Sequence, residues 1–172
     1  YSHRDESEAE RLVELTVKSL SIKSDSKILD MACGFGRHAI IFAKRGFVVT
    51  AVDLSERLLL EAKDNAQQNG VKIDFVLSDI LYFETTKRFD LALNLFTSFG
   101  YFDSDEDNFR VILKSYDFLI DGGYFVLDYF NKNYLLKNLI PTSVFSENGL
   151  RIIQNRSIQG TRVVKNITIE NG

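Results

Sequence analysis

Strand-like and helix-like segments alternate from about Asp5 to Phe130, and this order constrains the fold more than any other feature of the chain. The strand-like segments, such as "FVVTAVD" and "FDLALNLF", are nearly continuous apolar runs, which is typical of strands buried on both faces. The segments between them carry apolar residues at helical spacing, as in "EAERLVELTVKSL". The alternation predicts an α/β fold with a doubly wound, mainly parallel sheet that is covered by helices on both faces.

Capping residues and glycines set the predicted ends of these elements. Ser55 is the expected N-cap of the helix "SERLLLEAKDNAQQNG". Asp103 or Ser104 is the expected N-cap of the helix "SDEDNFRVILKSYDFLI". Gly46 and Gly70 each follow the last apolar residue of a helix, where glycine commonly ends the helix. The other predicted strands are "KILDMA", "KIDFVLSD" and "YFVLDYF", the last of which is expected to begin after a turn at Gly122-Gly123.

The pattern changes after Asn131. A short helix, "KNYLLKNL", is followed by Pro141 and three strand-like runs that Asn-Gly and Gln-Gly pairs separate. We predict an antiparallel β meander at 142–172, formed either by the last strands of the main sheet or by an added lid or dimerisation segment. Residues 1–141 are then the main domain. Because the chain begins with Tyr1 and stops just after a strand-like run, we expect further residues at both ends.

Composition excludes several classes of function. The 21 Lys and Arg against 24 Asp and Glu give a net charge of −3 without a basic cluster, which argues against a nucleic-acid surface. The single cysteine, Cys33, excludes an internal disulfide and a cysteine metal cluster, so we predict no metal and a reducing, cytoplasmic setting. No signal peptide or membrane-spanning apolar run is visible in the sequence.

Polar residues and glycines follow the predicted strands, and in doubly wound folds ligands bind beyond the carboxyl ends of the strands. The first strand ends at Asp30 and leads into "ACGFG", whose glycines let the backbone approach a ligand closely. The second strand ends at Asp53, the position at which an acidic side chain accepts the ribose hydroxyls in nucleotide-binding βαβ units. The third ends at Ser78-Asp79-Ile80 and the fourth at Asn94-Leu95-Phe96. These ends predict a nucleotide-like ligand.

Two classes of nucleotide ligand compete on these residues. Gly34, Gly36 and Ala39 satisfy the loose dinucleotide pattern G-x-G-x-x-G/A, which favours an NAD(P)-dependent oxidoreductase. However, Asp30 would repel a pyrophosphate and suits a cationic group instead. The pair Asp79-Ile80 is typical of an adenine pocket.

Five segments, in order, resemble the successive motifs of Rossmann-like S-adenosylmethionine-dependent methyltransferases. They cover Lys27 to Asn131 and read "ILDMACGFGRHA", "VTAVDLSERLLLEAK", "FVLSDI", "FDLALNLFTSFGYF" and "LIDGGYFVLDYFN". The sequence is most similar to small-molecule N-methyltransferases of the glycine and amino-sugar type, which share the "D-x-A-C-G-x-G" loop. The chain departs from many relatives at Ala32, where they have glycine. This matters only if the position needs a positive φ.

The resemblance implies a role for each matching residue in binding S-adenosylmethionine. Asp30 would lie opposite the ammonium, while Ala32, Gly34 and Gly36 would form the loop beneath the methionine and ribose. The remaining implied contacts are Asp53 with the ribose hydroxyls, Leu54, Asp79 and Ile80 with the adenine, and Asn94, Leu95 and Phe96 with the methionine and its methyl. Arg4 would reach the methionine carboxylate from the first helix, and Tyr1 could flank the same site.

No strong catalytic signature is expected, because the methyl donor is already activated and the protein mainly aligns the acceptor with the methyl. Candidate catalytic residues are Asp128 and Tyr101, with Asn94 nearby. Asp128 could hold a substrate ammonium or cap the helix that begins near Asn131, and Tyr101 and Phe102 could cover the cavity or simply pack in the core. His38 and Cys33 are expected to be structural.

The sequence therefore predicts an S-adenosylmethionine-dependent methyltransferase that acts on a small-molecule acceptor, for which an amine is one option. The alternatives are an NAD(P)-dependent oxidoreductase and a non-catalytic protein that binds S-adenosylmethionine. We expect no nucleic-acid or membrane partner, and a homodimer is a further option.

Overall fold

The computed structural model describes residues 6–96, 98–160 and 162–171. Helices and strands alternate up to the fifth strand, as the sequence predicts, except that β4 follows β3 with no helix in the described residues between them. They are α1 (Glu6–Leu20), β1 (Lys27–Met31), α2 (Arg37–Lys44), β2 (Val48–Asp53), α3 (Glu56–Gln68), β3 (Asp74–Leu77), β4 (Phe89–Asn94), α4 (Asp105–Phe118), β5 (Leu119–Leu127), α5 (Lys132–Asn138), β6 (Thr142–Glu147), β7 (Leu150–Gln159) and β8 (Arg162–Asn171).

The first five strands form one parallel sheet in the order β3-β2-β1-β4-β5. Strand β1 is central, and Asp30 pairs in register with Ala51 of β2 on one side and Leu93 of β4 on the other. The order reverses direction at β1, so a crevice is expected beyond the carboxyl ends of β1 and β4. The predicted doubly wound parallel sheet is confirmed.

Two apolar cores cover the two faces of the sheet. On one face, Ala9 and Val13 of α1 and Phe42 of α2 pack against Ile28 and Leu91. On the other face, a second cluster joins β1, β2 and β4 to α4 and to the turn after β3; its buried members include Leu29, Val52, Ile80, Phe83, Ala92, Val111 and Phe118. Since β1 is buried between them, any polar side chain near its carboxyl end lies in a largely apolar setting.

The predicted helix ends are confirmed. The Ser55 hydroxyl accepts a hydrogen bond from the Leu58 N–H, and the Ser104 hydroxyl accepts one from the Asp107 N–H at 3.0 Å, so Ser104 is the N-cap of α4. Gly46 and Gly70, just past α2 and α3, have φ of 87° and 66°. These caps satisfy backbone groups that a helix leaves unpaired at its ends.

Strand β5 begins earlier than the sequence predicts. It starts at Leu119 rather than after Gly122-Gly123, and its register against β4 shifts between Phe89 and Leu91. The two glycines lie inside this irregular stretch, where Gly122 has φ 79°. A β-bulge therefore takes the place of the predicted turn, because extra residues can loop out of an edge strand without ending it.

The chain divides into two compact units, Tyr1–Tyr129 and Phe130–Gly172. The division places α5 with the second unit, whereas the predicted boundary lies after Pro141. In the second unit, β6, β7 and β8 form their own antiparallel sheet in that order. The expectation that these could be the last strands of the main sheet is wrong, since among the described residues they form a separate three-stranded sheet. A lid or dimerisation role for the unit stays a prediction.

The second unit is held by tight turns and by one arginine. Asn148 and Gly149 join β6 to β7 with φ of 51° and 76°, and positive φ at both positions is the hairpin geometry that Asn-Gly favours. The Arg156 side chain donates to the Ser143 hydroxyl and to the Gln154 side chain, and its backbone N–H donates to the Pro141 carbonyl at 2.7 Å. The linker before β6 is thereby fixed to β7.

Within the described residues, no helix is long and apolar enough to cross a membrane.

Candidate functional site

The candidate site lies where the carboxyl ends of β1, β2 and β4 meet, because β1 pairs with both neighbours. The loop that follows β1 is tied to β2. The Cys33 N–H donates to the Val52 carbonyl at 3.0 Å, and the Gly34 N–H donates to Asp53 Oδ2 at 2.7 Å. The predicted glycine loop and the predicted strand-end aspartate therefore form one hydrogen-bonded assembly.

The three small residues of this loop all have left-handed backbone. Ala32, Gly34 and Gly36 have φ of 64°, 58° and 81°. A Cβ built on Gly34 would meet no atom within 4 Å, whereas one built on Gly36 would lie 3.1 Å from Ala62 Cβ of α3. Gly34 thus leaves open space above the loop, and Gly36 permits close packing of α2 against α3. Ala32 has the positive φ that the sequence comparison left in question, so its Cβ adds strain there.

Asp53 braces the site from the end of β2. Its Oδ2 accepts the Gly34 N–H, and its Oδ1 accepts the Ser55 N–H at 2.8 Å. The carboxylate is buried and joins the glycine loop to the start of α3. Each carboxylate oxygen has two lone pairs, so both oxygens can accept a further hydrogen bond from a ligand hydroxyl.

Asp30, at the end of β1, lacks the hydrogen-bond donors that Asp53 has. It is 2% exposed, and its Oδ2 has no hydrogen-bond partner. Burial, followed by the negative charge of Asp53, raises the pKa of Asp30 to about 7. A buried acceptor without a donor is costly, and a cation or donor supplied by a ligand would relieve that cost.

Two further residues near the loop, Cys33 and His38, are neutral. Burial, with a smaller effect of the Asp30 and Asp53 charges, raises the pKa of the Cys33 thiol well above its usual range. Burial, aided by the positive charge of Arg37, lowers the pKa of His38 to about 4. A protonated thiol and an uncharged imidazole suit the structural roles predicted for both residues.

The end of β3 is organised by its own turn. Asp79 Oδ1 accepts the Leu81 N–H at 2.8 Å, while the Asp79 carbonyl accepts the N–H groups of Tyr82 and Phe83. Ile80 is 8% exposed and packs in the core under α4, whereas Leu54, after β2, is 70% exposed. Of the two apolar residues predicted to contact the adenine, Leu54 is thus the exposed one.

The end of β4 carries a second buried acceptor. Asn94 is fully buried; its side-chain nitrogen donates to the Met31 carbonyl at 3.2 Å, and its Oδ1 has no partner. Leu95 is buried in the core, and Phe96 follows with a strained φ of 61°. Asp128 Oδ2 accepts the Phe96 N–H at 3.0 Å, and the Asp128 N–H donates to the Asn94 carbonyl.

Asp128 does not cap the helix after β5. Asn131 has that role, since its Oδ1 accepts the Tyr134 N–H at 3.1 Å. The capping alternative for Asp128 is therefore wrong, because Asn131, at the helix start, already accepts the N–H that a cap would accept. Asp128 instead holds the backbone at the end of β4 in its strained shape.

Arg37 is a residue of this region that the sequence reasoning missed. Its guanidinium lies 4.8 Å from the centroid of the Phe96 ring, so it spans the glycine loop and the segment after β4. A signal was present in the sequence, since a cation at the first position of a helix opposes the helix dipole. Such a residue is expected to have a compensating contact, and the ring of Phe96 provides one.

Asn108 is a second missed residue, and it shapes the loop before α4. It is buried, and it accepts the Phe102 N–H while donating to the carbonyls of Phe102 and Ser104. Its position on the buried stripe of α4 marks it as an unusual polar residue in the sequence. The loop it holds presents Tyr101 at 77% exposure, while Phe102 is half-buried.

Some predicted features lie elsewhere or outside the described residues. Arg4 and Tyr1 fall outside residues 6–96, so the structure does not address their predicted contacts. Across the part of the chain that is described, no three His, Cys, Asp or Glu side chains are grouped to hold a metal ion. A shallow depression of about 320 Å³ near Lys63 and Phe75 lies beside α3 and the amino end of β3, and the carboxyl ends of the strands do not line it.

The sequence profile described as "Methyltransferase domain" matches residues 28–123, from β1 into β5. The chain belongs to this family of methyltransferase domains. A protein of Geobacillus sp. (strain WCH70) assigned as a methyltransferase is 28% identical over 79% of this chain and 55% of its own length. The glycine/sarcosine N-methyltransferase of Aphanothece halophytica is 32% identical over 72% of this chain and 47% of its own length. The chain thus spans about half the length of these two curated relatives.

A solved structure has the same fold as this methyltransferase domain. The S-adenosylmethionine-dependent methyltransferase from Clostridium acetobutylicum ATCC 824 matches with a TM-score of 0.77 at 19% identity, over 96% of this chain and 73% of its own. The predicted Rossmann-like methyltransferase fold is confirmed, and the resemblance noted in the sequence is confirmed with it.

Proposed function

We propose that this chain is the cofactor-binding part of an S-adenosylmethionine-dependent methyltransferase that acts on a small-molecule acceptor. Beyond family membership, one observation carries the proposal. Asp30 places a buried carboxylate oxygen without a partner at the end of the central strand, beside the glycine loop. This carboxylate oxygen suits an ammonium group, which the methionine part of the cofactor carries. Its negative charge would repel the pyrophosphate of a dinucleotide.

The other groups of the site suit the remaining parts of that cofactor. The open space above Gly34 admits a ligand against the backbone, and Asp53 keeps lone pairs for the two ribose hydroxyls. We assign the adenine contacts to Leu54, Asp79 and Ile80. The region of Asn94, Leu95 and Phe96 is assigned to the methionine and the methyl group.

When bound, S-adenosylmethionine supplies a methyl group that is already activated for transfer. The protein then has to orient the acceptor and exclude water, and alignment of this kind can contribute roughly 7–11 kcal/mol. Asp128 contributes by fixing the backbone of Phe96. The assembly of Arg37, Phe96 and Asp128 forms the side of the crevice beyond β4, where we place the acceptor.

An amine is the acceptor class we favour. The identity to a glycine/sarcosine N-methyltransferase supports this choice, and so does the acidic side chain of Asp128 close to Phe96. An amine must reach the methyl group uncharged, so a base is needed only when it arrives protonated. Tyr101 remains a second candidate for acceptor contact because of its exposure.

The cofactor class is tested by calorimetric titration of the protein with S-adenosylhomocysteine and, in parallel, with NADH. We expect binding of S-adenosylhomocysteine alone, and loss of that binding in Asp53→Ala. Binding of NADH alone would contradict the proposal and favour an oxidoreductase. A panel of small amines, beginning with glycine and sarcosine, then tests turnover. Cofactor binding without turnover across amine, hydroxyl and thiol acceptors would favour a non-catalytic binding protein.

The role of Asp128 is tested by two substitutions once an acceptor is known. Asp128→Asn keeps an oxygen that can accept the Phe96 N–H, so we expect methyl transfer within a few-fold of the wild type. Asp128→Ala removes that oxygen and is expected to raise KM for the acceptor with little change in cofactor affinity. If Asp128→Asn instead lowers kcat about 100-fold or more, Asp128 acts as a base rather than through Phe96.

A further inference from the structure

Asp30 and Asp53 are neighbouring acidic side chains that differ in the number of hydrogen-bond donors around them. Asp53 has a backbone N–H donor at each oxygen, from Gly34 and Ser55. Asp30 Oδ2 has no donor, and the side chain is almost completely removed from water. When two nearby acids compete, the one with fewer donors and less water is the one that keeps its proton.

The elements that pack around β1 carry several charged or titratable side chains. Asp53 faces it from β2 and Cys33 from the adjacent loop. Arg37 and His38 begin α2, and Glu8 lies on α1. Among these groups, the negative charge of Asp53 raises the pKa of Asp30. His38 is neutral, because its own pKa is lowered to about 4.

We propose that Asp30 carries a proton when no cationic ligand is bound, and that a ligand with an ammonium group expels this proton on binding. The step is a simple exchange. The O–H bond of the Asp30 carboxyl group breaks, the proton passes to the buffer, and the carboxylate that remains forms an ion pair with the ligand's ammonium. This inference rests on the proposed function, and it adds that cofactor affinity is coupled to pH.

The coupling has a definite sign and size. Below the pKa of about 7, ligand binding must remove the proton, so affinity falls as pH falls. Between pH 7.5 and pH 6.0 the affinity for S-adenosylhomocysteine is expected to drop roughly eightfold. Binding should release close to one proton at pH 6.0 and about a quarter of a proton at pH 7.5.

Calorimetry in pairs of buffers with different ionisation enthalpies measures this proton release directly. We would titrate S-adenosylhomocysteine at both pH values, with 5′-methylthioadenosine as the matched ligand because it keeps the adenosine and lacks the ammonium. We expect proton release with the first ligand alone. Equal heats in the two buffers at pH 6.0, with S-adenosylhomocysteine bound, would overturn the inference and leave the proposed function standing. No binding at either pH would overturn both.

Two variants assign the proton to Asp30. Asp30→Asn has the same shape and no titrating group, so its remaining affinity for S-adenosylhomocysteine should not change between pH 6.0 and 7.5. Asp117→Asn removes a charge from an exposed position on α4 and should keep the wild-type proton release. Proton release that persists in a folded Asp30→Asn protein, as judged by its melting temperature, would overturn the assignment.

Discussion

The ends of β1 and β2 carry the same side chain in contrasting environments. At the end of β2, Asp53 accepts two backbone N–H groups and braces the glycine loop against α3. At the end of β1, Asp30 is buried without a partner at Oδ2. A strand-end aspartate therefore does not reveal its role by position alone, since the donors around it decide whether its oxygens are satisfied by the fold or left without a partner.

The largest effect on stability is expected in the glycine loop after β1, which is hydrogen-bonded to Asp53 at the end of β2. Gly36→Ala combines a left-handed φ of 81° with a Cβ 3.1 Å from Ala62 Cβ, so we expect a loss of about 3 kcal/mol of unfolding free energy. Gly34→Ala has the strain without the contact and should cost about 1–2 kcal/mol. Urea unfolding measures both, and equal losses would contradict the difference in packing.

Asp53→Ala is expected to cost about 2–3 kcal/mol, because it leaves the N–H groups of Gly34 and Ser55 without an acceptor. Asp53→Asn keeps one acceptor oxygen, so it should lose roughly half as much. The substitution also removes a negative charge that raises the pKa of Asp30. Chemical unfolding at pH 7 tests the order, and an Asn variant as unstable as the Ala variant would show that the charge, rather than the acceptors, supports the loop.

Asp30→Asn is expected to change how stability depends on pH. The folded protein holds a proton on Asp30 up to about pH 7, whereas the unfolded chain releases it near 3.8. The unfolded state therefore binds fewer protons between these values, and stability falls as pH rises through this window. From pH 5 to pH 7 the wild type should lose about 2 kcal/mol more than Asp30→Asn. Parallel pH profiles of the two proteins would argue against a protonated Asp30.

The smallest effect is expected at Ala32, which follows β1 by one residue. Glycine relieves the strain of a φ of 64°, but it also raises the conformational entropy of the unfolded chain. Ala32→Gly should therefore gain about 1 kcal/mol or less of unfolding free energy. Ala43→Gly, inside α2 and half-buried, serves as the control and should lose stability. A loss in both variants would mean that the methyl group of Ala32 contributes more through contacts than it costs in strain.

Much of the fold could be predicted from the sequence because its signals are local. Apolar runs marked the parallel strands, and Ser55 and Ser104 marked helix starts that the structure confirms. The bulge at Gly122-Gly123 could not be told from a turn, since either places glycine at positive φ. The separate sheet of β6–β8 was equally hidden, because strand pairing beyond a hairpin depends on contacts distant in sequence.

At the site, the sequence located the residues but not their hydrogen bonds. It placed Asp30, Gly34 and Asp53 at the strand ends, where the structure has them. It could not show that Asp53 accepts the Gly34 N–H or that Asp128 holds Phe96, because those bonds join residues 19 and 32 positions apart. Arg37 was overlooked for the same reason, since its partner Phe96 lies in another loop. Asn108 was overlooked although its partners, Phe102 and Ser104, are near it in the chain.

The unpartnered Oδ2 of Asp30 also affects the stability of the protein in the cell. Near neutral pH, an empty site retains the energetic cost of a buried, poorly supported acid, and a bound cation removes it. The empty form is then the form that unfolds and is degraded first. Under the proposed function, the cellular level of the protein is expected to follow the supply of its cofactor, so that a single side chain links metabolite abundance to protein turnover.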